Sequence, residues 1–371
     1  MLALRENHER SAPTAPNVSS AWLFRNLESC FEAALDDQGP YEHQFEICGQ
    51  TIRFRFADTE FAGLLTRAFA HLRRPLSMVP DCTIAVGEAK SSGRYLPILL
   101  KAYLSALEYS WWNVTNPRGE LLEIHNPPSM AAYYPGTSGL SLLDTESGRG
   151  LYWKMQRSHL PYYEAGYPFR TLLHWWLRPR GFQFIHGAAV GTESGGVLLV
   201  GKGGAGKSTS AMASIRGGLR YAGDDYCVVG LDPQPVVYSL FNACKLCGDE
   251  DVARFPGLAE HVSNPKRPSD EKALVYLQEL LPERVSASLP LKALLVPRIT
   301  GAPNTVIRSC KGMEALSAIV PGTMAQLPSS HQEDLKFMSA MVRRLPAFSI
   351  EVGTEVEQIP VAISRLLEQL G

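Results

Sequence analysis

The alternation of apolar and polar positions predicts a small α+β domain in the first half of the chain. Apolar residues at every second position indicate strands, and apolar residues three and four apart indicate helices. These patterns predict a hairpin at 45–48 and 51–56, a helix at 61–72, and strands at 82–86, 109–114 and 121–125. The segment 126–150 is rich in Pro, Gly and Ser, which predicts loops.

From Gly181 onward, the pattern changes to short apolar runs that are separated by glycine-rich turns. It predicts strands at 182–190, 197–200, 291–299 and 347–352, an extended stretch at 219–229, and a closing helix with Pro360 near its start. Apolar residues at helical spacing along 169–177 predict that Trp176 lies in the core. We therefore expect a flexible tail at 1–20, the α+β domain at 21–165 and an α/β domain at 166–371.

Composition and charge argue against nucleic acid and membranes as partners of this protein. The 371 residues carry a formal net charge of −1, which gives no electrostatic reason to expect nucleic acid or an anionic membrane. No apolar run approaches the roughly 18 residues of a membrane span, and the start lacks the layout of a signal peptide. We expect a cytoplasmic protein that binds neither nucleic acid nor membrane.

The cysteines predict reduced thiols and no metal centre. Seven cysteines are scattered over the chain, and an odd number without a secretion signal is typical of the cytoplasm. Cys244 and Cys247 form the one close pair in the sequence. A zinc site would need a second pair at similar spacing, so two separate thiols are favoured.

The segment from Gly201 to Ser208 is a complete G-x-x-x-x-G-K-S phosphate-binding loop. It reads Gly201-Lys202-Gly203-Gly204-Ala205-Gly206-Lys207-Ser208. Glycines let the backbone N–H groups surround a polyphosphate, the lysine reaches the β and γ oxygens, and the serine hydroxyl ligates Mg²⁺. An apolar strand precedes the loop and a helix from Thr209 follows it, which is the context that the motif requires. The sequence predicts a binding site for a nucleoside triphosphate.

Two adjacent carboxylates follow the loop in an apolar stretch. Asp224-Asp225 begins 17 residues after Lys207, where the chain is expected to return as a strand beside the loop. At a strand end or bulge, one carboxylate can hold Mg²⁺ while the other faces the acceptor. Asp pairs also occur in surface turns. Because an unpaired buried charge is costly, the apolar surroundings favour a catalytic pair.

These residues together resemble the HPr kinase/phosphorylase family. The series is His186-Gly187 on one predicted strand, the loop at 201–208 after the next, Arg216-Gly217 at the helix end, and then Asp224-Asp225. The likeness is close over about 45 residues and looser over 166–371. It implies a P-loop kinase domain built on a mixed sheet with flanking helices, with the small α+β domain before it.

The resemblance also implies roles for the site residues. Asp224 would be the general base on the acceptor hydroxyl, Asp225 and Ser208 would ligate Mg²⁺, and His186 would lie near the transferred phosphoryl group. Lys207 would act on the phosphates, and the remaining nucleotide contacts would come from Gly201, Gly203, Gly204, Ala205, Gly206, Ser208 and Thr209. The implied reaction is transfer of the γ-phosphoryl group of ATP, or of GTP, to a hydroxyl.

The sequence departs from that family in two places. Thr209 stands where the family has Glu, and the Arg-Gly-Leu-Gly segment of the bifunctional enzymes is missing from the sequence. These departures argue against phosphorylase activity and against HPr as the substrate, and they leave both questions open. The N-terminal region and the closing stretch look more like HPr-kinase-related proteins, some of which are serine kinases that act on precursor peptides. Because the family's enzymes form hexamers, a homo-oligomer is compatible with the resemblance.

Three other functions fit part of the pattern. A kinase of a small hydroxylated metabolite would use the same site, because the reacting groups are only an alcohol and a phosphate. The loop from Lys202 to Thr209 also fits partition-type ATPases, in which Lys202 would reach across a dimer. A regulatory nucleotide-binding protein without turnover is the third alternative. Intact Lys207, Ser208, Asp224, Asp225 and His186 argue against this third alternative, since loss of turnover usually removes one of them. We expect a kinase of a hydroxyl, most favourably a serine of a protein or precursor peptide, with the metabolite kinase as the alternative.

Overall fold

The computed structural model describes residues 16–35, 39–88, 97–155, 160–327 and 332–371. Most of the predicted tail, residues 1–15, lies outside the described residues. The side chain of Ser19 accepts a hydrogen bond from the Trp22 backbone N–H and so caps the first helix. The helices are α1 Ser20–Ala34, α2 Thr59–Thr66, α3 Ile98–Ser110, α4 Tyr162–Gly166, α5 Arg170–Leu177, α6 Lys207–Arg216, α7 Gly248–Ala253, α8 Leu277–Leu280, α9 Gly312–Gln326, α10 Gln332–Arg344 and α11 Gln358–Leu370.

The strands form one sheet in each half of the chain and a small two-stranded sheet. In chain order they are β1 Tyr41–Ile47, β2 Gln50–Phe56, β3 Arg73–Arg74, β4 Cys82–Glu88, β5 Ser129–Tyr134, β6 Gly139–Asp144, β7 Arg149–Lys154, β8 Phe182–Ile185, β9 Gly187–Thr192, β10 Gly195–Val200, β11 Arg220–Gly223, β12 Cys227–Gly230, β13 Val236–Tyr238, β14 Ala243–Leu246, β15 Ala273–Tyr276, β16 Ser288–Ile299, β17 Val306–Ser309 and β18 Ala347–Val352. The protein is thus a mixed α/β structure.

Both large sheets mix parallel and antiparallel neighbours. The first has the order β3-β1-β2-β4-β7-β6-β5, in which β4 lies parallel to both β2 and β7. The second has the order β11-β9-β10-β16-β13-β12-β8. In addition, β18 pairs in parallel with β16, and β17 pairs antiparallel with β18. The long strand β16 pairs with β10, β13 and β18, so it joins the two ends of this sheet.

Three predictions for the first half were wrong. Residues 109–114 belong to the end of α3 and a short 3₁₀ turn, because Leu100, Leu104 and Leu107 bury a helical stripe. Trp111 and Trp112 are both only partly buried there. Residues 121–125 form turns. The predicted loops at 126–150 are instead β5, β6 and the start of β7. The prolines of this segment and several of its Gly and Ser residues lie in the tight turns, whereas Ser129, Gly139, Ser141 and Gly150 lie within the strands.

The hairpin β1–β2, the last strand and α11 agree with the pattern, as does Trp176, which is 2% exposed. The predicted helix at 61–72 is α2 followed by a 3₁₀ segment, Arg67–Leu72. In the described part of the chain, the helices are too short or too polar for a membrane crossing.

The two large sheets share buried side chains. The Phe54 ring stacks on Phe169 at 4.6 Å, and Phe69 lies 5.2 Å from Phe241. The Asn242 side chain also donates hydrogen bonds to the backbone carbonyls of Arg67 and Ala68, at 2.9 and 2.8 Å. The boundary expected between residues 165 and 166 falls inside α4, within this packed region.

Candidate active site

The phosphate-binding sequence forms a loop between β10 and α6. Gly204 and Gly206 have φ values of +77° and +93°, a region that favours glycine over residues with a side chain. A Cβ atom at Gly203 or Gly204 would meet no atom within 4 Å, so the loop backbone borders open space. The loop therefore offers its backbone N–H groups and the start of α6 to an anion.

Lys207, the first residue of α6, folds back over this loop. Its Nζ donates hydrogen bonds to the carbonyl oxygens of Gly201 at 2.8 Å and Lys202 at 3.1 Å. Burial lowers the pKa of Lys207. Both partners are backbone carbonyls of the loop itself, so phosphate oxygens bound in the loop could take their place on the ammonium.

The Asp pair lies in the turn between β11 and β12, and this turn separates the two carboxylates. Asp225 has a φ of +63°, an uncommon backbone conformation for a residue with a side chain. Asp224 is fully buried, and its Oδ1 accepts a hydrogen bond from the Ser208 hydroxyl at 2.9 Å. Its Oδ2 accepts a hydrogen bond from the Lys245 backbone N–H at 3.2 Å. Asp225 instead faces the cavity and forms an ion pair with the Lys245 ammonium.

These surroundings shift the pKa values of the two carboxyl groups in opposite directions. Burial, followed by the Asp225 charge, raises the pKa of Asp224 to about 6. Burial also acts to raise the pKa of Asp225, but the Lys245 ammonium outweighs it and holds that pKa below its ordinary value. At neutral pH, Asp225 is therefore the more firmly ionised of the two.

His186 connects β8 to β9 and lies against the Asp turn. β8 pairs with β12 and β9 pairs with β11, so both strand pairs are interrupted at the same point. The His186 Nδ1 lies 2.9 Å from the Asp225 carbonyl oxygen, which can only accept a hydrogen bond. The proton of the neutral ring is therefore on Nδ1, and Nε2 is an acceptor. Burial, and then the Lys207 charge, lower the pKa of His186 to about 4, so the ring is neutral at pH 7.

One cavity of about 460 Å³, which we call the active-site cavity, brings most of the predicted residues together. From the predicted set, it is lined by Gly203, Gly204, Gly206, Lys207, Ser208, Thr209, His186 and Asp225. Gly201 and Ala205 lie in the loop behind this lining, and Asp224 is buried beneath it.

Two lysines outside the phosphate-binding loop also reach the cavity. Lys245 and Lys272 line it, whereas Lys266 is exposed and does not. Arg267 does not line it and pairs with Asp249. The lining also includes Cys247, which the sequence predicted only as a separate thiol. The other lining residues had no predicted role, and they are Tyr162, Tyr163, Arg170, Tyr226, Asp251, Ile299 and Gln326.

The oxygen donors beside the loop fit Mg²⁺. Because the Ser208 hydroxyl donates its one proton to Asp224, its lone pairs remain available to a cation. Mg²⁺ prefers such oxygen ligands and commonly takes one or two from the protein and the rest from phosphates and water. The described residues hold no group of three or more His, Cys, Asp or Glu side chains that could bind a metal. Cys244 is buried and Cys247 exposed, both as free thiols.

Of the comparisons with known proteins, the one with solved structures gave matches. The family models and the curated proteins gave no match. Among solved structures, the chain is similar to the HPr(Ser) kinase/phosphatase from Coxiella burnetii, with 14% sequence identity over 50% of this chain and 95% of that chain. The TM-score is 0.27. We take neither function nor fold family from a likeness of this size.

Proposed function

We propose that the protein is an ATP- and Mg²⁺-dependent kinase that transfers the γ-phosphoryl group to a hydroxyl, most favourably a serine of a protein or precursor peptide. The observation that carries the proposal is the single cavity in which the phosphate-binding loop, Ser208 and the Asp225 carboxylate meet. Phosphoryl transfer needs positioning and charge neutralisation more than covalent chemistry, and these residues supply both.

The contacts favour a division of roles between the two aspartates that is the reverse of the one the sequence suggested. A general base must reach the acceptor proton, and Asp225 borders the cavity whereas Asp224 is fully buried. Lys245 occupies Oδ2 of Asp225, and the described residues place no donor within hydrogen-bond distance of its Oδ1. We therefore assign the base to Asp225. Asp224 orients the Ser208 hydroxyl toward Mg²⁺.

The remaining residues neutralise and orient the reacting groups. In the transfer, the bond from the acceptor oxygen to the γ-phosphorus forms and the β–γ bridging bond of ATP breaks. The hydroxyl proton passes to Asp225, and ADP leaves. Lys207 and the loop N–H groups hold the phosphates, and the neutral His186 offers the Nε2 lone pair beside the cavity. Mg²⁺, when bound, neutralises charge on the β and γ oxygens.

The rest of the organisation is part of the same proposal. Residues 166–371 would form the kinase domain, and residues 21–165 would recognise the acceptor or mediate assembly into an oligomer. A metabolite kinase remains the second candidate, because the residues around the reacting groups contact only an alcohol and a phosphate.

The test is phosphate transfer from γ-labelled ATP with Mg²⁺ into a lysate of the source cells. Wild type, Asp225→Asn and Asp224→Asn are compared, and labelled macromolecules are separated from small molecules. We expect Asp225→Asn to lower the rate by about 10²–10⁴ with nucleotide binding intact. Asp224→Asn keeps a side chain that can accept from Ser208, so we expect mainly a higher Mg²⁺ requirement.

Each other outcome has a definite meaning. Loss of transfer in Asp224→Asn alone would restore the roles first inferred from the sequence. Label in small molecules only would favour the metabolite kinase. Free phosphate at the same rate in all three proteins would contradict a kinase and favour a partition-type ATPase.

A further inference from the structure

A second cavity adjoins the active site on the side of the first sheet. It has a volume of about 430 Å³ and lies between the residues after α3, the end of β5 and the end of α9. Arg170 and Gln326 line both cavities. The amide Nε2 of Gln326 lies 3.5 Å from the His186 Nε2, so the shared wall reaches the reacting centre. The two cavities are therefore neighbours, and a molecule that spans the shared wall would have one end at the phosphate-binding loop.

Arg170 is the side chain at this junction, and its hydrogen-bonding capacity is not used by the described residues. It is the first residue of α5, where Phe169 before it has a φ of +57°. Its guanidinium lies 5.9 Å from the Tyr163 ring and 5.7 Å from the Tyr226 ring. The described part of the chain gives this group aromatic neighbours but no hydrogen-bond acceptor. A guanidinium carries five N–H donors in a fork that matches a carboxylate.

The nearby carboxylate of Glu164 is already engaged elsewhere. The Tyr152 hydroxyl donates to Glu164 Oε1 at 2.8 Å, and Glu164 lines neither cavity. The described residues that line the second cavity include two cations, Arg170 and Arg118, and no Asp or Glu. The other walls are largely aromatic and apolar, with Trp111, Tyr133, Tyr134 and Met324 among them. The cavity thus complements a segment that combines apolar groups with a negative charge.

We propose that the second cavity holds a peptide segment of the acceptor and that Arg170 binds a carboxylate beside the hydroxyl-bearing residue. This inference rests on the proposed kinase function and names its substrate class as an acidic peptide. The volume favours a peptide over a small hydroxy acid, because cavities of this size bury ligands as large as a drug molecule. Arg170 is then a residue that positions the acceptor and sets specificity.

The test uses serine peptides in matched pairs that carry Glu or Gln at one position, from three residues before to three residues after the serine. Transfer from γ-labelled ATP is measured for wild type, Arg170→Gln, Arg170→Lys and the control Arg343→Gln, which removes an exposed charge on α10. We expect wild type to prefer Glu at one position by roughly 10- to 100-fold in kcat/KM, through KM. Arg170→Gln should abolish this preference, Arg170→Lys should keep part of it, and Arg343→Gln should keep all of it.

Other results would overturn the inference and separate it from the kinase proposal. Equal use of Glu and Gln peptides by wild type contradicts an anion site and leaves the kinase intact, whether or not the variants fold. Transfer to small hydroxy acids but to no peptide contradicts the peptide acceptor alone. A fall in kcat for every peptide in Arg170→Gln, at unchanged KM, would place Arg170 on the transferred phosphoryl group instead. Absence of both nucleotide binding and transfer would remove the kinase proposal itself.

Discussion

Two buried charge clusters of this protein have similar ingredients and different surroundings. The active-site cluster consists of Lys207, Asp224, Asp225, Lys245 and His186. The β7 cluster consists of Lys154, Tyr152 and Glu164. In both clusters a lysine lies near a carboxylate, and burial lowers the pKa of the lysine, to about 8 for Lys154. The active-site cluster borders a cavity, whereas no member of the β7 cluster lines either of the two cavities described above.

The difference shows that burial of charge is not by itself a sign of chemistry. Lys154 donates to the Thr137 carbonyl, and Tyr152 donates to Glu164, so the β7 cluster uses its hydrogen bonds to join β7, α4 and the turn after β5. Among the residues that the structure describes, Lys207 donates to carbonyls of its own loop alone, and a phosphate can replace them. The charged groups that can exchange partners are the ones that can act on a ligand.

The largest effect is expected from Lys207→Ala, which removes the cation from the loop. Because charge-assisted hydrogen bonds to phosphate are lost, affinity for Mg²⁺-ATP should fall by about 10²–10⁴-fold. Lys202→Ala is the matched control, since Lys202 is exposed in the same loop and contributes a backbone carbonyl that the variant keeps. Calorimetric titration would measure both. Unchanged affinity in Lys207→Ala would contradict this role of Lys207, and an equal loss in Lys202→Ala would favour the partition-type ATPases.

The next effect is expected from Lys154→Met, which should reduce stability and leave chemistry unchanged. The variant leaves the buried Thr137 carbonyl without the donor that Lys154 supplies. A buried acceptor that loses its donor typically costs about 1–3 kcal/mol in the free energy of unfolding. Denaturant titration would measure the loss, with the exposed Lys101→Met as the control. Transfer activity per folded molecule should stay at the wild-type value. A selective loss of activity without loss of stability would make the β7 cluster functional.

Sequence reasoning predicted the second sheet better than the first. The strand before the loop, β16, β18 and α11 are marked by long apolar runs or a clear helical stripe, and they lie close to the expected positions. In the first sheet, β5, β6 and β7 are six residues each and are joined by tight turns. Their turn residues dominated the local composition, so the pattern indicated loops.

The candidate site was predictable where residues are close in sequence. Lys207, Ser208 and the Asp pair belong to one strand–loop–helix–strand unit. Arg170 and Gln326 come from distant helices, and only the tertiary fold brings them to His186. The separate environments of Asp224 and Asp225 depend on the positive φ at Asp225. The sequence around the Asp pair did not predict this backbone conformation.

The smallest effect is expected from Asp224→Asn on the pH dependence of stability, and it tests whether this buried carboxyl differs from its neighbour. The folded-state pKa of about 6 lies above the ordinary value of 3.8, so the native state binds the proton more tightly than the unfolded state. The contribution of Asp224 to stability is therefore complete below pH 3.8 and is lost as the pH rises to about 6. A shift of this size corresponds to at most about 3 kcal/mol.

The variant lacks this titration, so its stability relative to wild type should rise from pH 4 to about pH 6 and then remain constant. Denaturant titrations of the two proteins at several pH values would measure the difference. A pH-independent difference would mean that Asp224 has an ordinary pKa and that the hydrogen bond from Ser208 offsets its burial.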